Sequence, residues 1–138
     1  MTTFNDKELA YLRDQPLARI ATADASGRPH VVPVGFRVSE DGTAIEVGGH
    51  DFAKSKKYRD MRTNPRVAIA IDDLVSVNPW TPRGIEIRGR AELLDSGGER
   101  FGPGWDASFV RIVPERVISW GVEAPPFTEG SFTARSVG

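Results

Sequence analysis

The chain has 138 residues, of which 39% are hydrophobic and 27% are charged, with a formal net charge of −1 and no cysteine. This length predicts one globular domain over residues 1–138, and the near-neutral charge argues against a nucleic-acid-binding protein. The lack of cysteine excludes disulfides and thiolate metal sites, and the presence of only two histidines argues against zinc. No apolar run is long enough for a membrane span or a signal peptide, so we expect a cytoplasmic protein.

The first predicted element is a short α-helix that begins after Asn5. Asn5 and Glu8 form a capping-box pattern, in which each side chain accepts from the other residue's backbone amide. Phe4 and Leu9 occupy the positions of a hydrophobic staple. We expect the helix to end before Pro16, because a residue that precedes proline avoids the helical conformation.

The hydrophobic pattern then changes to the two-residue period of β-strands. Pro33 indicates a sheet edge or a bulge in the second strand, and Pro114 is expected to separate the last two strands. Residues 73–82 are read as a loop and residues 123–138 as an extended tail. The predicted strands cover residues 17–23, 30–38, 43–48, 66–71, 83–94, 109–113 and 117–122. Short turns between them predict a mainly β protein, a small antiparallel barrel of about six strands.

A basic segment lies between the third and fourth strands. A short helix is predicted over residues 51–62, with Asp51 as its N-cap and Asn64-Pro65 as its end. Residues 54–66 contain six cations and one anion, and three of the four lysines of the chain lie there: Lys54, Lys56 and Lys57. Lysines at the start of a helix bind phosphate, so the segment predicts an anion site. A solvated helix face is the alternative.

These motifs, in this order, resemble the pyridoxamine 5′-phosphate oxidase-like split β-barrel family, and more narrowly its actinobacterial branch that uses the deazaflavin coenzyme F420. The resemblance covers roughly residues 5–95 and rests on LARIATAD, SGRP, HVVPVGFRV, AIEVGGH and FAKSKKYRDMRTNPRVAIAIDD. The closing segments FVRIVPERVISWGVE and TARSVG are similar to a sub-branch of reductases that tailor polyketide antibiotics. The resemblance implies an FMN-binding type of split barrel with a short N-terminal helix and a short crossover helix.

The resemblance also implies a homodimer that holds a cofactor in a groove between two barrels and acts on a small molecule. In such proteins the segment after strand three holds the cofactor phosphate, and strands two and three flank the ring system. Trp80 falls where the family places a ring-side or dimer-contact residue. The implied cofactor residues are Val32, Pro33, Val34, Val47, Gly48, Lys54, Ser55, Lys57, Arg59 and Trp80. From the pattern alone, the residues of strand two read equally well as ordinary strand valines beside an edge proline.

Three functions stay open at this point. The resemblance first implies an F420-dependent oxidoreductase that transfers hydride to an activated double bond. An FMN-binding oxidoreductase would use the same lysines, and a non-catalytic flavin- or deazaflavin-binding protein would need only the groove. Cofactor-based hydride transfer requires no acid–base dyad, and the sequence contains none. Tyr58, His30 and water remain alternatives as proton donor, and no catalytic residue is assigned.

Overall fold

A computed structural model describes residues 3–138, which form eight β-strands and two α-helices. The helices are α1 (Asp6–Asp14) and α2 (Lys56–Thr63). The strands are β1 (Ala18–Ala23), β2 (Pro29–Val34), β3 (Arg37–Val38), β4 (Ile45–Val47), β5 (Arg66–Ser76), β6 (Thr81–Leu94), β7 (Phe109–Trp120) and β8 (Phe132–Ser136). No helix among the described residues is long and apolar enough to cross a bilayer.

The sheet is antiparallel and curls on itself. Its strand order is β2-β1-β5-β6-β7-β4-β3, and β8 adds to β7. Only Gly35 and Phe36 join β2 to β3, although these strands lie at opposite ends of that order. Two residues span only a few ångströms, so the two edges must approach each other. The predicted split barrel with two short helices is therefore confirmed, with eight strands rather than about six, and the predicted strand 30–38 is divided between two edges.

One face of the sheet forms the core, because side chains alternate between the two faces of a strand. A row of four aliphatic residues crosses β1, β5, β6 and β7, and each is at most 1% exposed: Ile20, Ile69, Ile87 and Val117. Each such side chain contributes about 1.5–3 kcal/mol when buried. The neighbouring row, Ala21, Ala68 and Arg88, lies on the outer face.

The prediction that Pro114 separates two strands is wrong, because β7 continues through it. Gly89 pairs with Pro114 and Arg88 with Arg116, which leaves Glu115 as the extra residue of a bulge. A bulge tolerates proline because the ladder is interrupted there. A Cβ on Gly89 would lie 2.2 Å from the Val113 carbonyl oxygen, so only glycine allows this close approach.

Residues 73–82 are not a loop. β5 extends to Ser76 and β6 starts at Thr81, so the two strands form a long hairpin with a turn at residues 77–80. The outer half of this hairpin extends beyond the core, so its sequence lacks the apolar alternation that would have predicted strands. Val77 and Trp80 in the turn are 71% and 58% exposed.

The tail is not structureless. Within residues 123–138, β8 pairs with the second half of β7. Arg135 on β8 donates two hydrogen bonds of 2.7 and 2.6 Å to the carboxylate of Glu8 in α1, which is fully buried. The predicted capping box is present at the N-terminus of α1. The side chains of Asn5 and Glu8 each accept a hydrogen bond of 2.9 Å from the other residue's backbone amide. An ion pair thus joins the first helix to the last strand.

Replacement of Arg135 by alanine is expected to destabilise the fold by about 3 kcal/mol, because it leaves the buried Glu8 carboxylate without its cation. This value is at the lower end for a buried pair, since the Arg135 side chain is 34% exposed. The matched control is Arg90→Ala, which breaks only the exposed pair with Glu92 and should cost less than about 0.5 kcal/mol. Urea unfolding measures both, and equal losses would contradict the assignment.

Candidate functional site

The lysine-rich crossover segment, residues 50–64, connects β4 to β5 and consists of a 3₁₀ turn at Phe52–Lys54 followed by α2. Ser55 caps α2, and its Oγ accepts from the Tyr58 amide at 3.3 Å. The prediction that Asp51 caps this helix is wrong. Its side chain makes no capping hydrogen bond, and its φ of 52° places it in the left-handed region. The 3₁₀ turn therefore moves the start of α2 past Asp51.

A residue distant in sequence fixes this segment. Asp106 accepts from the Ala53 amide at 3.0 Å and donates its own amide to the Gly49 carbonyl at 2.9 Å. The Ala53 amide is the main reason why the pKa of Asp106 lies below its ordinary value. Sequence reasoning missed Asp106, because 53 positions separate it from its partner and no motif marks it.

The three lysines have different environments. Lys56 binds Asp60 one helical turn later at 3.0 Å, and Asp60 also accepts from Thr22 of β1 at 2.9 Å. Burial alone would raise the pKa of Asp60, but the hydrogen bonds from Lys56 and Thr22 outweigh it and hold that pKa low. Lys56 therefore stabilises the contact between α2 and the barrel and is not free for a ligand.

Lys54, Lys57 and Arg59 remain available. No carboxylate within residues 3–138 forms an ion pair with any of them. Lys54 and Arg59 are exposed, whereas Lys57 is half-buried, with its Nζ 5.5 Å from the centre of the Phe52 ring. Burial lowers the pKa of Lys57, so a bound anion would restore a favourable environment for its charge. The first amides of α2 add donors and a positive dipole end at the same place.

Ser55 lies among these cations, but its hydroxyl is already engaged. It donates to the Phe52 carbonyl at 2.7 Å while it caps α2. A phosphate oxygen, which accepts, would have to replace the Phe52 carbonyl as the acceptor of the Ser55 hydroxyl.

The strand residues implied by the family do not share one face. Val32 and Val34 point inward, Val34 being 9% exposed, whereas Pro33 lies exposed on the outer side of β2. β2 pairs only with β1, so Pro33 occupies an edge strand as its sequence indicated. A planar ring against β2 would therefore meet Pro33 or Val32, and Val34 belongs to the core.

The residues at the end of strand three also differ. Val47 is fully buried, and its side chain belongs to the core. Gly48 lies beside the rings of Phe101 and Trp105, and a Cβ there would be 3.1 Å from Phe101. Gly48 is partly exposed and lines a pocket, but the side on which a Cβ would stand is covered by these two rings, and the side chain of Val47 is out of reach of a ligand.

Trp80 does not join the lysines within one chain. It follows the last residue of β5, whereas α2 precedes the first. Because β5 has 11 residues, roughly 30–35 Å of strand lie between them.

The two side chains considered as proton donors are partly enclosed. Tyr58 is 2% exposed and packs edge-on against Phe52. His30 pairs with Thr22 across β1 and β2, and its buried Nδ1 has no hydrogen-bond partner among residues 3–138. His30 is therefore a half-buried strand residue.

Two concave surfaces accompany the crossover segment. A groove of about 620 Å³ crosses the outer face of β1, β5 and β6, between Ala21, Ala68 and the guanidinium groups of Arg66, Arg88 and Arg90. A smaller pocket of about 300 Å³ includes Gly48, Phe101 and Trp105. Within residues 3–138 no cluster of three or more His, Asp or Glu side chains could hold a metal ion.

Comparison with known proteins agrees with this architecture. A 5a,11a-dehydrotetracycline/5a,11a-dehydrooxytetracycline reductase from Streptomyces rimosus is 40% identical over 120 residues, which cover 87% of this chain and 84% of that protein. A conserved hypothetical protein from Mycobacterium tuberculosis has the same fold, with a TM-score of 0.68, 23% identity and coverage of 99% of this chain and 94% of that one. A FAD-binding protein from Mesorhizobium loti has a TM-score of 0.62, 25% identity and coverage of 80% and 86%.

The family match decides the classification. Residues 4–126 match the family described as pyridoxamine 5′-phosphate oxidase, which spans β1 to β7 and both helices. The family resemblance read from the strand and lysine motifs is thereby confirmed, and the reductase relative supports an oxidoreductase. The chain belongs to the pyridoxamine 5′-phosphate oxidase family.

Proposed function

We propose that this protein is a reductase that uses reduced coenzyme F420 to deliver hydride to an activated double bond of a small organic molecule. The observation that carries the proposal is the group of cations without an ion-pair partner in residues 3–138 at the start of α2: Lys54, Lys57 and Arg59. The 40% identical relative is named as a reductase of dehydrotetracyclines, which supports this reaction class. When bound, the coenzyme supplies the hydride chemistry.

The residues of the chain would bind and orient this coenzyme. Lys54, Lys57 and the first amides of α2 fit a phosphate, and Arg59 adds a cation for a second acidic group. Such a surplus of cations suits a coenzyme that carries a phosphate and a glutamate tail. Pro33, exposed on the outer side of β2, would offer an apolar wall to a planar ring. The half-buried His30 and water are the remaining alternatives for the proton.

We further propose that two copies associate through the outer face of the sheet and hold the coenzyme between them. This face carries small residues such as Ala21, Ala68 and Ala70, and Val31 there is 65% exposed. Association would also explain Trp80, because only the hairpin of a second copy could bring it to the lysines. Sedimentation velocity should give twice the 15.1 kDa chain mass. A monomer that still binds coenzyme would rule the arrangement out.

An FMN-binding oxidoreductase of the same fold is the second candidate. The FAD-binding relative of similar structure favours it, since a flavin phosphate needs the same cations. A protein that binds a deazaflavin or flavin without turnover is the third.

Replacement of Lys57 by alanine should weaken F420 binding by about 1.5–3 kcal/mol, the range for a hydrogen bond to a charged group. The double variant Lys54→Ala with Lys57→Ala should lose more, because both groups face one anion. Lys7→Ala is the matched control, since Lys7 lies on α1, away from α2, and donates to the Glu123 carbonyl at 3.0 Å. Fluorescence titrations with F420 and with FMN measure each affinity. An unchanged affinity in the double variant would remove the site.

Turnover separates an enzyme from a carrier. Mixed with reduced F420 and a panel of conjugated enones, the protein should oxidise the coenzyme in step with loss of the substrate double bond. Absorbance of the oxidised coenzyme and mass analysis of the product measure this reaction. Tight F420 binding without turnover for any enone would favour the carrier, and turnover with reduced FMN but not with reduced F420 would favour the flavin enzyme.

A further inference from the structure

The 300 Å³ pocket beside Gly48 is built from segments that are far apart in sequence. It lies between the β2–β3 link, β4 and the loop that follows β6. Its principal lining residues are Phe36, Arg37, Glu46, Gly48, Phe101 and Trp105. The lining contains none of the cations proposed to bind phosphate, and Gly48 is the one residue that it shares with the candidate coenzyme residues.

Aromatic rings form its walls. Phe101 stands edge-on to Trp105 at 5.7 Å and to Phe109 at 5.3 Å between ring centres. A Cβ on Gly48 would lie 3.1 Å from Phe101 and 3.3 Å from Trp105, so both rings approach bare backbone. The result is an opening lined largely by apolar and aromatic surface, of the kind that suits a small-molecule ligand.

The polar end of the pocket contains a buried carboxylate surrounded by guanidinium groups. Glu46 is 2% exposed and accepts from Arg37 Nε at 3.1 Å and from Arg111 Nη2 at 3.3 Å, with Arg100 at 4.0 Å. Asp41 lies 4.0 Å from Arg111, and Glu92, which pairs with Arg90 at 3.6 Å, is the cross-strand neighbour of Arg111. Three guanidinium groups thus surround the buried Glu46 carboxylate beside the aromatic walls.

Arg37 is held in a position to receive a ligand. Its Nε is fixed by Glu46, and its guanidinium carbon lies 4.1 Å from the centre of the Phe101 ring. Its two Nη atoms have no acceptor among residues 3–138. A guanidinium that is stacked, anchored at one nitrogen and free at the others is preorganised for an oxyanion.

We propose that this pocket binds the acceptor substrate, and that the substrate is a planar aromatic or polycyclic molecule with an acidic oxygen. The rings would lie against Trp105 and the edge of Phe101, one face of which Arg37 covers, and a carboxylate, enolate or phenolate oxygen would bind Arg37, with Arg100 at the rim. Glu46 is a positioning residue that orients Arg37. The assignment of the ligand as acceptor rests on the proposed reductase function, and Gly48 connects the pocket to the coenzyme site.

The test is calorimetric titration with two planar probes of matched shape, anthraquinone-2-carboxylate and the neutral anthraquinone-2-carboxamide. The protein should bind the carboxylate about 10- to 100-fold more tightly. Arg37→Gln should remove most of that preference and change the carboxamide affinity less than about twofold. If Arg37→Gln does not fold, Arg100→Gln is the alternative variant. It removes another guanidinium of the same pocket, and Arg100 lies 4.0 Å from Glu46. Arg116→Gln is the control, since Arg116 lies on the far half of β7 and its side chain binds Ser136 as its one partner among residues 3–138.

The outcomes separate this proposal from the one on the coenzyme. Equal affinities of the unmodified protein for the two probes, or an unchanged preference in both arginine variants, would overturn the pocket while F420 binding persists. Failure of the protein to bind F420 or FMN, with arginine-dependent probe binding intact, would overturn the coenzyme site alone. Retained F420 affinity in Arg37→Gln together with a lost carboxylate preference would support two adjacent sites.

Discussion

The short link between β2 and β3 is the constraint on which the rest of this structure depends. Gly35 and Phe36 connect strands at opposite ends of one sheet, so the sheet has to curl until those ends meet. Curling encloses the isoleucine-rich face as a core and leaves the alanine-rich face outside. It also brings the link itself next to β4 and Gly48, where the aromatic pocket forms. Core, outer groove and pocket therefore follow from one closure.

Neighbouring basic residues have different roles: some form ion pairs that stabilise the fold, and others remain available to a ligand. Lys56 is neutralised by Asp60 and fixes α2 to β1, whereas its neighbour Lys57 is half-buried over Phe52. Helical geometry explains the difference, because Asp60 lies four positions after Lys56 and is held by Thr22 as well. The arginines show the same division: Arg135 serves the buried Glu8, while Arg37 is anchored at one nitrogen only.

Distant partners account for most of what was missed at the site. Asp106, Phe101 and Trp105 come from a glycine-rich stretch after β6 that shows no hydrophobic periodicity. Nevertheless, Asp106 fixes the crossover segment, and the two aromatic residues line the pocket. β8 was missed because its short alternation lies in a tail, and only pairing with β7 makes it a strand. The family resemblance implied a ring-side or dimer-contact position for Trp80, and the length of β5 separates it from the lysines within one chain.

The sequence by itself determined the features that depend on neighbours along the chain. These include the capping box of α1, the inward alternation of the strands, the edge position of Pro33 and the cation cluster of residues 54–66. Tertiary structure alone decided which lysines are free, that Val34 and Val47 belong to the core, and that β7 continues through Pro114. The physical reason is that caps and alternation depend on short-range geometry, whereas burial, ion pairing and bulges depend on strands brought together only by closure of the sheet.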